Sequence, residues 1–126
     1  MKKGLIAALL ACAALLPAGV HAHGDEHAHE PQHGGQVTEA ADLDFELVAR
    51  PDVISLYIRD HGQPARLAGV SGKLTMLAGG NRNEVSLATL EDRLEARGAF
   101  DLAGARVVAT VKMSDGKTAN ARFKLP

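Results

Sequence analysis

From Leu43 to the C-terminus, apolar and polar residues alternate in short runs broken by turn residues. "LDFELVAR" (43–50) sets Leu43, Phe45 and Leu47 on one side and Asp44 and Glu46 on the other. Pro51-Asp52 breaks it, and "VISLYIRD" (53–60) puts Ile54, Leu56 and Ile58 on one face. "HGQP" (61–64) is a turn by composition. "KLTML" (73–77), then "AGGNRN", then "EVSLATL" (84–90) reads as strand, hairpin connection, strand. "DRLEARGAF" (92–100) is a weaker strand. "ARVVATVKM" (105–113) is rich in β-branched residues, "SDGK" (114–117) is a turn, and "TANARFKL" (118–125) alternates to the end.

Period two fits these segments better than period 3.6. A helix competes only in "LATLEDRLEARGAF", where Leu87, Leu90 and Leu94 have helical spacing. The flanking β runs favour strands there too. About seven short strands at this spacing predict an all-β, Ig-like β-sandwich over residues 37–126.

The N-terminus carries a different pattern. Lys2 and Lys3 precede an apolar run from Gly4 to Leu16, too short for the ~20 residues that span a bilayer. Pro17 ends it, and "VHA" (20–22) is a small-x-small cleavage site. This is the layout of a signal peptide over residues 1–22, which predicts export to the periplasm and a mature chain starting at His23. "LLAC" (9–12) also resembles a lipobox ending at Cys12, but the apolar run continues past the cysteine, which favours simple export. Cys12 is the only cysteine, so the mature domain folds without a disulfide. Roughly 100 residues are enough to bury a core by packing alone.

The whole chain has a formal charge of −1. The acidic excess of the mature chain lies in Asp25, Glu26 and Glu30, and Lys and Arg are scattered through the body. No basic stripe with interleaved aromatics exists, which argues against nucleic acid as a partner. No second apolar run predicts a membrane span. No nucleophile stands near a base in sequence, and Gly79-Gly80 reads as turn chemistry, so the chain is not expected to be an enzyme.

Five of the six histidines crowd into "HAHGDEHAHEPQHGG" (21–35). After cleavage, His23, His27, His29 and His33 remain in an arm over residues 23–36. In an extended chain His27 and His29 point the same way and could pinch one ion. Imidazole is a good ligand for Zn, Cu(II), Ni and Co, and Asp25, Glu26 and Glu30 attract cations. No histidine falls at the third mature position, so the usual amino-terminal copper motif is absent. Gly24, Pro31, Gly34 and Gly35 predict a flexible arm with weak or transient binding. His61, in the turn beside Asp60, is a further candidate ligand if the arm folds back. The competing reading makes the arm a polar tether.

"HGGQV" (33–37), "FELVARPDVISLYIRDHGQPARLAGVSGKLTMLAGG" (45–80) and the closing "VVATVKMSDGKTANARFKL" (107–125) resemble a group of small exported proteins that accompany bacterial heavy-metal efflux systems. A similar domain precedes some periplasmic adaptor subunits of those pumps. The resemblance implies a β-sandwich, a part in handling Zn, Co, Cu, Ni or Cd, and an efflux adaptor subunit as partner. Mature cysteine and a methionine cluster are both lacking, which weighs against a Cu(I)-specific role.

Overall fold

The computed structural model describes residues 29–126. The expected signal peptide, Cys12, His23 and His27 lie outside the described residues.

The described chain is all-β, with nine strands and no helix. They are β1 (Gln36–Ala40), β2 (Leu43–Ala49), β3 (Val53–Asp60), β4 (Gln63–Pro64), β5 (Ser71–Ala78), β6 (Asn81–Thr89), β7 (Leu94–Arg97), β8 (Arg106–Lys112) and β9 (Thr118–Lys124). All seven runs read from alternation are strands, including "LEAR" in the segment where a helix competed. β1 and β4 are additional.

A two-sheet sandwich is the sequence expectation; the observed hydrogen-bond path is one antiparallel sheet in the order β1-β2-β3-β7-β6-β5-β8-β9, with β4 beside β3. The path is continuous because β6 serves two neighbours. Its residues 81–87 pair with β5, and Ala88 and Thr89 then pair with β7. The sheet curls until β1 approaches β9, where the Thr38 hydroxyl donates to the Arg122 carbonyl at 2.9 Å. It is nearly closed into a barrel. That curvature hides most of the edge a flat sheet would expose.

The alternation explains the core. Phe45 and Leu47, Ile54, Leu56 and Ile58, Leu74 and Met76, Leu94, Val107 and Val111, and Phe123 all point inward and are buried. Ala109, Ala119 and Ala121 keep the β8–β9 side thin. Gly72 permits close packing inside the curl, since a Cβ there would meet Leu94 Cδ2 at 2.9 Å.

Three two-residue connections carry positive φ at both positions: Ala41-Asp42, His61-Gly62 and Gly79-Gly80. This is the type I′ geometry whose twist matches a hairpin. "AGGNRN" signals it clearly. "AD" does not, because alanine is poorly suited to φ 52°. Ala41→Asn should therefore stabilise the fold by about 0.5–1 kcal/mol. A denaturation midpoint that rises with an unchanged m-value is the expected result; an unchanged or lower midpoint would contradict the turn assignment.

Candidate metal centre

Asp44 and Glu46 alternate with the core residues of β2, so their side chains leave the barrel on its outer face. A solvated face would be the ordinary outcome. Both are instead buried, Asp44 at 5% and Glu46 at 1% exposure. The cover is the chain segment preceding β1, which crosses the outer face of β2 and β3.

Glu46 holds that segment. Its carboxylate accepts the backbone N–H of Gln32 (2.9 Å), His33 (2.7 Å) and Gly35 (3.0 Å). The His33 ring adds Nδ1 at 3.1 Å, and Arg59 Nη1 donates at 3.2 Å. A carboxylate only accepts, so His33 Nδ1 carries a proton here. Arg59 is nearly as buried and also donates from Nη2 to the Glu30 carbonyl at 2.7 Å. The His33 ring lies flat on Tyr57, with centroids 3.6 Å apart and planes 4° from parallel.

The His-Gly-Gly sequence now has a local reason. Gly34 adopts φ 78°, which turns successive N–H groups toward one acceptor. Gly35 passes so close to β2 that a Cβ would lie 2.2 Å from the Leu47 carbonyl oxygen. Composition predicts a flexible arm through Gln36; from His29 onward the chain is instead tied to β2 and β3. The reason is tertiary: the arm buries little apolar surface, but it supplies donors to a carboxylate that the sheet fixes in place.

The same docking brings His29 to Asp44, with Nδ1 2.7 Å from Oδ1, and to Glu39, 3.9 Å away. The register aligns Glu39 of β1 with Asp44 of β2, so both carboxylates stand in one row across the sheet. One ligand atom from each of His29, Glu39 and Asp44 lies within 4.8 Å of the others. Around a tetrahedral ion with bonds of ~2.1 Å, ligand atoms sit about 3.4 Å apart. The His29–Asp44 hydrogen bond would open slightly and Glu39 would draw in. One imidazole nitrogen with two carboxylate oxygens suits Zn, Co or Ni better than a soft Cu(I) ion.

The other expected ligands fall elsewhere. His33 is engaged by Glu46 and Tyr57. His61 occupies the β3–β4 turn, 88% exposed, with Nδ1 2.5 Å from Asp60 Oδ1. It borders an open cleft of about 620 Å³ formed with the β1–β2 and β8–β9 turns. Among the described residues neither joins a cluster of potential ligands. Glu39 and Asp44 were not legible as ligands, because only strand pairing and the fold-back of the arm put them beside His29.

No family model, curated protein or solved structure matches this chain. The likeness to efflux-associated proteins therefore rests on the quoted motifs alone. No helix of the described residues is long and apolar enough to cross a membrane.

Burial is the strongest influence on Glu46 and pushes its pKa up. The N–H groups of Gln32, Gly35 and His33, with the His33 ring, together outweigh it and hold Glu46 at about 2, below an ordinary 4.5. A depressed carboxylate stabilises the fold above its unfolded pKa, and that stability is lost as pH falls. The window here runs from about 4.5 down to about 2, and on the order of 3 kcal/mol is at stake. Glu46→Gln places an amide donor among N–H donors and leaves Arg59 without its charge partner, a change that costs about 3–5 kcal/mol. Chemical denaturation between pH 6 and pH 2 should show a steep acid loss in the parent and a flatter one in Glu46→Gln. Parallel profiles would remove Glu46 from this role.

Proposed function

We propose that this protein is an exported, non-enzymatic metal-binding accessory protein. It captures or buffers a divalent ion such as Zn, Co, Ni or Cu(II) through its histidine-bearing N-terminal segment, and it hands the ion to a heavy-metal efflux system. The observation that carries the reading is the convergence of His29 Nδ1 with Glu39 and Asp44 at the point where that segment meets the barrel. His23 and His27 precede it by only a few residues and add imidazole capacity at the same end of the chain.

The site's chemistry fits capture and release. His29 Nδ1 faces a carboxylate, so the proton shared there must leave when a metal binds. Affinity should fall as pH drops below about 6.5, the ordinary imidazole value. Two carboxylates favour a borderline divalent ion, and three described ligands leave room for water or a histidine from upstream. Periplasmic location and the efflux partner are inferred from the N-terminal pattern and the quoted motifs.

A metal-independent module that docks on an envelope or efflux partner is the second reading. It is favoured by the Glu46 clamp, which ties down the segment without any ion. In that case His29 and Asp44 form only a hydrogen bond.

Titration of the full chain with Zn and Co separates the two. His29→Ala and Asp44→Asn should each weaken the tightest site at least tenfold, a loss of about 1.4 kcal/mol. His61→Ala should leave it unchanged. Equal affinity and stoichiometry in parent, His29→Ala and Asp44→Asn would exclude this centre and leave the docking reading.

A further inference from the structure

A separate concentration of charge lies on the outer face of β2, β3 and β7. It forms an open cleft of about 430 Å³ that includes Arg50, Arg93, Arg97, Glu95, Ser55 and Tyr57. β3 is the floor. The register sets Ser55 between Val48 on β2 and Glu95 on β7, and sets Val53 against Arg97. Ser55 is small and stands between Val53 and Tyr57 on the same face, so it makes a notch. Tyr57 is the wall on the arm side, stiffened by the His33 ring stacked on it.

The arginines are not equivalent. Glu95, 6% exposed, takes Arg93 Nε at 3.2 Å and Nη2 at 3.0 Å on one oxygen, and Arg97 Nε on the other. Arg93 Nη1 is used by Asp92 at 2.7 Å. Arg93 is therefore occupied by carboxylates. Glu95 also fixes the stem of Arg97, while the terminal nitrogens of Arg97 have no partner among the described residues. The Arg50 guanidinium has none there either. Arg50 follows the end of β2, held by its N–H to the Val53 carbonyl at 2.9 Å. Neighbouring strands lie about 4.8 Å apart, so Arg50 and Arg97 flank Val53 from opposite sides, two residues along β3 from the Ser55 notch.

We propose that this cleft binds a small oxyanion, a phosphate or a carboxylate group, between Arg50 and Arg97 above Val53, with the Ser55 notch beside it. Three guanidiniums are set against Glu95 and, at Arg93, Asp92, leaving one positive charge in excess for an anion to neutralise. A guanidinium fork matches two oxygens of a phosphate or carboxylate. The Ser55 hydroxyl can donate from the floor, and Glu95 acts as a positioning residue that keeps Arg97 turned toward the ligand. A volume of about 430 Å³ is enough for a small molecule. The site is independent of the cation centre and stands or falls without it.

The test is an amide-detected NMR titration of the full chain with inorganic phosphate and, separately, with succinate, at an ionic strength held constant with chloride. Saturable one-to-one shifts at Ser55, Val53 and Arg97 are expected. The anion that saturates at lower concentration identifies which oxyanion the cleft prefers. Arg50→Gln and Arg97→Gln should each raise the midpoint at least tenfold, and Arg66→Gln, an exposed arginine outside the cleft, should not. The Arg50 side chain makes no hydrogen bond or ion pair to lose, and Arg97 is 74% exposed with Arg93 still holding Glu95 when it is replaced, so both variants should keep the parent spectrum elsewhere. Shifts that rise linearly with either anion, or a midpoint unmoved in both variants, would overturn the proposal.

Discussion

The arrangement depends on one buried carboxylate finding enough donors. Glu46 leaves the barrel on its outer face, where an ionised group is stable only in water or when its lone pairs are satisfied. Five donors from the preceding segment and from Arg59 satisfy it. Once they do, the segment from Gln32 to Gly35 is fixed, and His29 is carried to Asp44. The histidine and the two carboxylates meet because Glu46 is saturated, not because they attract each other strongly. A hydrogen bond between a half-exposed imidazole and a carboxylate would not order a loose chain by itself.

The curled sheet supplies the rigid platform for this. Side chains of β2, β3, β5, β8 and β9 fill a narrow interior, and the thin alanine-lined side lets β9 come round to β1. All polar chemistry is thereby displaced to the outer face. The result is one continuous outer surface over β1, β2, β3 and β7. Its β1 end is acidic, with Glu39 and Asp44, and its β7 end is basic, with Arg93 and Arg97. His33 and Tyr57 stand between the two.

Much of the fold is legible in the chain. Alternation locates seven of the nine strands, and "AGG" and "SDGK" locate two of the turns. β1, "QVTEA", escapes because it follows a Gly-Gly pair and is mostly polar; it is a strand through pairing with β2. β4 is two residues long, below what any period can register. The single curled path in place of two sheets depends on β6 changing partners at Ala88, which no local pattern encodes. The site is less legible. Histidine density points to His29, but Glu39 and Asp44 look like ordinary solvent-facing residues of alternating strands. The Gly34-Gly35 pair reads as a loose linker, whereas one glycine turns N–H groups inward and the other clears a carbonyl.

The sequence by itself determined an all-β domain, seven of its nine strands and the inward face of each of those, because side-chain alternation is a local property that hydrophobic burial reads directly. It also determined that imidazole is concentrated ahead of the domain. Only the tertiary structure decided which histidine meets which carboxylate, and that the last part of the arm is held rather than free. Those outcomes depend on strand register and on a buried charge recruiting donors from residues 11 to 14 positions away, and no local pattern in the chain encodes such pairings.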